Sequence, residues 1–419
     1  MTGGLLLAAF LAGFGRADLG APSGHSLAGY FGARPCEGAL DSVEANCVAL
    51  SDGERSALLY SLDLVEVKGL CDRWRREIAA ATGVPAEAVY IACTHTHTAP
   101  SVGRAADSYE ISVEGPAAYD EEVLGKLIAI GRTALSDRAP AALRLGRAEA
   151  RGLSFVRRYR MKDGTVRTNP GKSRLEEIIG PAGQADESVG IIRLDREGRP
   201  SLALVNFQCH PDMIGGCKAS ADWPGFARRK LERDLGVRAV VFNGAQGDTN
   251  HIDPYDVHHG YEASRMFGVK LAAAVESAWD GCAAETPGQI SATVRSVRVK
   301  VRRPSAAELA ATNGLGKVAL NRLAKLKDAP PEIEVPVSRI ACGRAFAFCG
   351  LPCEPFTEIG RAVKSRSSAK MTFFTCLTNG SFGYLPTEDA YDEGAYETDS
   401  SIFMPGASDA LVEAIARDF

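Results

Sequence analysis

Residues 56–97 read as strand, helix, strand, and that alternation commits the chain to an architecture in which helices pack on sheets. "SALLYSLDLVEV" (56–67) has the pattern of a buried strand, and "GLCDRWRREIAAATG" (69–83) that of an amphipathic helix closed by Gly83. A second strand follows in "VYIACTHTHTAPSVG" (89–103), where Val89, Ile91 and Cys93 alternate with Tyr90 and Ala92. Carried onward, that period of two places His95 and His97 on one face and Thr94, Thr96 and Thr98 on the other, before Pro100 and Gly103 open a loop. Proteins of this class often place their chemistry at the C-terminal ends of strands. A histidine pair alone is as often a hydrogen-bonded core feature as a ligand pair, so ligands at other strand ends have to decide.

The alternation continues along the chain. A long amphipathic helix is predicted over 117–137, then a strand at 142–150 and a polar segment at 157–173 with a turn at Asp163-Gly164. Strands at 189–195 and 201–210 precede a helix at 224–236, with Pro224 suited to its first turn. A strand at 237–248 enters a Gly-rich loop, and a helix covers 261–279. From residue 290 "ISATVRSVRVKVR" alternates as a half-exposed strand, which brings antiparallel pairing into the sheet. Helices at 304–328, two short strands around Gly343, a helix at 357–365 and a buried strand at 371–379 complete the pattern. The fold predicted is α/β: residues 1–419 as one large domain, mixed sheets flanked by helices, chemistry at strand ends.

Composition narrows the function. A net charge of −4 with no basic run argues against nucleic acid, and 7% aromatic content offers no stacking platform. The 11 cysteines are odd in number and form no C-x-x-C, so neither a disulfide framework nor a thiolate zinc knuckle is indicated, and a reducing compartment is expected. The apolar N-terminal run lacks a basic leader and a convincing cleavage site. It is also too short to span a bilayer, so a cytoplasmic protein without a transmembrane segment is expected.

His210 ends the strand "LALVNFQCH" and enters a turn, the same context as His95, which makes the two a candidate ligand pair. Glu354 follows a strand and a Gly-Leu-Pro turn; a glutamate opening a helix is also favoured by the helix dipole with no metal involved. The segment 378–400 carries Tyr384, Tyr391 and Tyr396, more aromatic content than a solvated loop needs. "FNGAQGDTNHID" (242–253) matches neither phosphate-binding glycine pattern.

"THTHTAP" (94–100) resembles an element of the neutral, non-lysosomal ceramidases, a family of zinc-dependent amidohydrolases. "LAGFGRADL" (11–19), "LAGYFGA" (27–33), "SADWPGFARRKLE" (220–232), "NGAQGD" (243–248), "GLPCEPF" (350–356) and "NGSFGYLPTEDAY…YE" (379–397) resemble further family motifs, in the family's order. The likeness runs from about residue 11 to the C-terminus and covers the family's catalytic domain, without its immunoglobulin-like second domain. It implies zinc bound by His95, His210, Glu354 and Tyr384, with His97 and Tyr396 beside it against the scissile carbonyl. Arg157 aligns with a substrate-contacting arginine, with Arg158 and Arg160 as neighbours. The chain departs from the family at Thr98-Ala99, at "GDTNHI", which has no serine, and at Cys353, where a glycine is usual.

The activity so implied is cleavage of an N-acyl or other linear amide bond by metal-activated water. Zinc lowers the pKa of its water to about 7, and His97 and Tyr396 are suited to stabilise or protonate what develops. The expected partner is a small or lipid-like amide substrate, and sequence leaves the oligomeric state open. Two alternatives keep the same centre: a metal-dependent esterase or lactonase, and a metal- or ligand-binding homologue without catalysis.

Overall fold

A computed structural model describes residues 10–103, 117–311, 314–325 and 330–416. Among them, nine strands form a large mixed sheet. Its order is Arg238–Asn243, Leu202–Phe207, Ser188–Arg196, Ala139–Glu149, Leu11–Asp18, Glu44–Ser51, Ser56–Leu62 and Val89–Cys93, with Ala283–Glu285 pairing onto Ala139–Glu149. The inner strands pair antiparallel. At both edges the pairing turns parallel, Val89–Cys93 beside Ser56–Leu62 and Arg238–Asn243 beside Leu202–Phe207. Parallel neighbours need a long crossover, which helices Cys71–Thr82 and Asp222–Leu235 supply. A four-stranded sheet orders Ile290–Lys300, Glu332–Cys342, Phe346–Gly350 and Met371–Thr375. Its last two strands are again parallel, with helix Thr357–Arg366 between them in sequence.

Three parallel pairs therefore send their C-terminal ends to one place, and hydrogen bonds between the loops there fix the meeting point. Asn243 Nδ2 donates to the Thr94 carbonyl at 2.8 Å, the Cys376 amide to Asn243 at 3.1 Å, and the Asn379 amide to Ile91 at 2.8 Å. Between the two sheets, Phe348 packs on Phe242 and on Phe373, with ring centroids 5.0 and 5.1 Å apart. Each such buried ring contributes roughly 1.5–3 kcal/mol relative to leaving it exposed. The run "LAGFGRAD" is a strand under helix Ala117–Ser136, and its glycines explain how close the helix comes: a Cβ on Gly13 would sit 2.0 Å from the Ala134 carbonyl oxygen, and one on Gly15 2.3 Å from that of Ile130.

Most predicted elements are present, including helices Ala117–Ser136 and Tyr261–Trp279 and a hairpin across Asp163-Gly164. Strand 290–300 pairs antiparallel along its whole length with Glu332–Cys342, a longer partner than the sequence pattern suggests. In the 304–328 stretch the described helices are Ala306–Ala311 and Gly314–Lys325; residues 1–9 and part of this stretch lie outside the described residues. All 11 cysteines are free, and all but Cys217 are buried. No described helix is long and apolar enough to cross a membrane. One expectation needs correction. The strand stops at Cys93 and does not carry its period on to His97, because His95 takes φ 73°, a left-handed conformation that breaks the pleat.

Candidate metal centre

His95 and His97 meet through the turn that follows the strand. The left-handed turn at His95 costs on the order of 1 kcal/mol or more, and local hydrogen bonds offset it: its amide donates to Leu64 at 2.9 Å and its Nδ1 lies 2.8 Å from the Val65 carbonyl. Both acceptors lie just past the end of the neighbouring parallel strand. The threonines between bond elsewhere, Thr94 to Asp63 and Thr96 and Thr98 to the Ser220 carbonyl, leaving the histidines to the cluster. His97 Nε2 lies 3.2 Å from His95 Nε2.

His210, fully buried, lies just past the Leu202–Phe207 strand. The Gly-rich loop at 244–249 holds it, with carbonyls of Gln246 and Thr249 at 2.7 and 3.0 Å from Nδ1. Those carbonyls explain why the loop resembled no phosphate cradle: it presents acceptors to a ring N–H. Glu354 pairs with Tyr384 in a two-residue parallel bridge, and its Oε2 lies 3.2 Å from both His95 Nε2 and His210 Nε2. His95, His97 and His210 form a group of nitrogens disposed to hold a metal ion.

The electrostatics favour a cation. Burial drives the His95 imidazole pKa down, but the Glu354 carboxylate reverses this and the net shift is upward. His210 is depressed to about 3 by burial together with the charge of Arg157, so it is neutral at ordinary pH. Burial would raise the Glu354 carboxyl, yet His95 and His210 hold it well below the usual carboxylate range. Nδ1 of His210 carries the proton it gives to the carbonyls, so Nε2 is a bare lone pair facing a carboxylate oxygen. Neither His210 Nε2 nor Glu354 Oε2 has a hydrogen bond of acceptable geometry. Two buried, unpartnered acceptors at 3.2 Å repel each other unless a positive charge lies between them, so the residues fit a divalent ion.

Tyr384 stacks on His210 at 6.3 Å between centroids, and Tyr396 lies 5.5 Å from Tyr384. Burial lifts the Tyr384 hydroxyl well above its ordinary value, against the opposing pull of Arg157, so it is a phenol. Arg157 lies over the Tyr384 ring at 5.3 Å and is bound by Glu397 at 2.7 Å and the Gly247 carbonyl at 2.8 Å. Of the three neighbouring arginines, Arg158 pairs with Glu393 and Glu397 and Arg160 reaches outward to Glu393; Arg157 is the one against the tyrosines. Cys353 is packed in the apolar core. His95, His97, His210, Glu354, Tyr384, Tyr396 and Arg157 thus lie in one neighbourhood, whereas Tyr391 turns away to Ser401 and the Phe403 carbonyl.

Sequence reading missed Tyr30 and Asp212, which lie behind His97, and Arg34, which donates to the carbonyls of Ala28 and His97. The available signals were faint: a tyrosine in "LAGYFGA" and an acid two residues after His210. Gly29, at φ 102°, lets this segment close on the histidine; a Cβ there would lie 2.6–2.8 Å from His97 atoms. Gly29→Ala is therefore expected to weaken metal binding at least tenfold while leaving the melting cooperative, as zinc titration and calorimetry would show. Unchanged affinity would mean that the position of His97 is immaterial.

Buried imidazoles and a carboxylate at the ends of parallel strands define a candidate metal centre on a mixed α/β fold. That fold is the one found in neutral ceramidase from Pseudomonas aeruginosa, with a TM-score of 0.78 over 98% of this chain and 74% of that one at 18% identity. A ceramidase complexed with C2 gives a TM-score of 0.76 over the same shares, 98% and 74%, at 17% identity. No family model and no curated protein matches the sequence.

Proposed function

We propose that this protein is a zinc-dependent hydrolase of linear amide bonds, with an N-acyl amide as substrate. The observation that carries this reading is the pair of unpartnered acceptors, His210 Nε2 and Glu354 Oε2, facing each other beside His95 in a buried cluster. His95, His210 and Glu354 would hold the ion, with Tyr384 completing the protein side as a neutral phenol. A bound zinc supplies Lewis acidity and an ionised water at neutral pH. Two neutral imidazoles and one carboxylate leave a net positive charge at the centre, which preserves that acidity.

The chain's own groups do the rest. Arg157, locked by Glu397 and Gly247, keeps the Tyr384 ring in place and makes the surroundings positive. Tyr396, whose ring lies 5.5 Å from that of Tyr384, would donate a hydrogen bond from its hydroxyl to the carbonyl oxygen as negative charge develops there. Removing one such donor typically slows turnover about a hundredfold or more.

The fold likeness to ceramidases supports amide chemistry. The test is a matched series of N-acyl amides and the corresponding esters, of short and long acyl chain, assayed on chelated and zinc-reconstituted protein. Zinc-restored amide cleavage is expected. Ester cleavage alone would make the protein an esterase, and zinc binding without turnover of any substrate would make it a binding protein.

A further inference from the structure

We infer that Glu397 is a positioning residue: it holds a strained turn at Ala395 closed and so sets Tyr396 beside Tyr384. This rests on the role proposed above for Tyr396 and adds a residue to which the motif resemblance assigns no part in the reaction.

The backbone is forced at Ala395. It takes φ 81° and ψ 176° immediately before helix Tyr396–Ser400, and Gly394 before it also has a positive φ, of 74°. Glycine adopts the first of these conformations freely, whereas a residue with a Cβ stays there only when its surroundings over-determine it. Released, the alanine would relax toward negative φ and carry the next residue, Tyr396, with it.

The restraint comes from Glu397, two residues on and fully buried. Its Oε1 accepts Arg157 Nε at 2.7 Å, and its Oε2 accepts the Thr168 hydroxyl at 2.7 Å and Arg158 Nη1 at 3.4 Å. Arg158 and Thr168 face each other in register on strands Arg158–Met161 and Val166–Thr168, so both reach Glu397 from one hairpin. Arg158 also grips the other side of the turn, donating from Nη1 to the Gly394 carbonyl at 2.8 Å and from Nη2 to Glu393 at 3.0 Å. Ala395 is therefore clamped before and after, by hydrogen bonds that carry charge and are correspondingly strong.

The same carboxylate registers the turn against the metal centre. Arg157 donates from Nη2 to the Gly247 carbonyl at 2.8 Å and from its amide to the Asp248 carbonyl at 2.9 Å. Those carbonyls belong to the loop whose Gln246 and Thr249 hold His210. Contacts thus run from Tyr396 through Glu397 and Arg157 to the loop behind His210. At the near end the Tyr396 ring lies 5.5 Å from that of Tyr384 and meets Phe31 edge-on at 6.3 Å. A misplacement of about 1 Å in such a group can cost roughly a hundredfold in rate. An ion pair serving stability alone would leave the contribution of Tyr396 to turnover independent of Glu397.

The test is a double-mutant cycle between Glu397→Gln and Tyr396→Phe, made in the full chain reconstituted with zinc and assayed on one N-acyl amide. Glu397→Gln keeps the shape and one acceptor oxygen but leaves Arg157 and Arg158 without their shared carboxylate. It should bind zinc as wild type does and lower kcat about ten- to a hundredfold. In its crystals Ala395 should leave φ 81° and the Tyr396 ring should stand farther than 5.5 Å from Tyr384. Tyr396→Phe should slow turnover about a hundredfold, and adding Glu397→Gln to it should slow it by less than about threefold more. Thr168→Val, which removes one donor and no charge, should show the same pattern on a smaller scale and decides the matter if Glu397→Gln fails to fold. Effects that multiply in the cycle, full kcat in Glu397→Gln, or an unmoved Tyr396 ring in its crystals overturns the inference. If the ring moves but wild type cleaves no amide, the proposed function fails and the positioning stands. If wild type cleaves amides and Tyr396→Phe does so at full rate, the inference fails and the hydrolase stands.

Discussion

Replacing His210 with alanine is expected to remove the bound metal and to slow amide cleavage by roughly a thousandfold or more. The estimate follows from what the ion supplies, several kcal/mol of transition-state stabilisation, with each 1.4 kcal/mol or so worth a factor of ten. His210 is the most constrained of the candidate ligands: fully buried, held through Nδ1 by two carbonyls, and stacked on Tyr384. Without it, the ion would keep only Glu354, His95 at 3.2 Å from that carboxylate, and the neutral Tyr384 phenol, too weak a set to hold zinc firmly. The Gln246 and Thr249 carbonyls also lose their donor, so His210→Gln serves as a companion that fills more of the space. Metal content per chain and kcat/KM on one N-acyl amide decide the matter. Full metal occupancy with full activity in either variant would remove His210 from the centre.

The second large effect concerns the frame behind the histidines. Arg228 on helix Asp222–Leu235 makes a two-pronged ion pair with Asp63, both side chains essentially sealed from solvent. Asp63 also accepts the Glu44 amide at 2.9 Å and the Thr94 hydroxyl at 3.3 Å. One carboxylate thus ties a crossover helix, an inner strand and the histidine turn together. It stands next to Leu64 and Val65, whose carbonyls hold His95. Arg228→Ala strands a buried charge, and breaking such a pair typically costs about 3–5 kcal/mol. The expected outcome is a loss of that order in urea unfolding, accompanied by weaker metal binding because His95 loses its anchor. Asp63→Asn combined with Arg228→Met should cost less than the two single changes added together, since no uncompensated charge then remains. A loss under about 1 kcal/mol for Arg228→Ala would show that the pair is solvated in solution.

These two variants also mark where sequence reading succeeds and where it stops. Helix Cys71–Thr82 was legible because its apolar residues recur at helical spacing and Gly83 closes it, and the strands before His95 and His210 were legible as apolar runs. The convergence of His95, His97, His210, Glu354, Tyr384, Tyr396 and Arg157 came from a resemblance carried by several ordered motifs. Periodicity did not supply it: the period of two ends at Cys93, and the histidines meet through the left-handed turn at His95. A residue's φ is set by the contacts it makes after folding, here with Leu64 and Val65, and no spacing rule contains it. The same reason hides Tyr30 and Asp212, 182 positions apart in the chain and joined by a hydrogen bond. Arg228 was hidden differently, since in an amphipathic helix a buried arginine is indistinguishable from a solvated one until its partner is known.

The most direct measurement is diffraction from crystals of zinc-reconstituted protein, collected above and below the zinc absorption edge. A single anomalous peak is expected within about 2.0–2.2 Å of the Nε2 atoms of His95 and His210 and of a Glu354 oxygen, with the Tyr384 hydroxyl turned toward it. A map with no peak among these side chains, recorded from protein that still cleaves amides, would contradict the account.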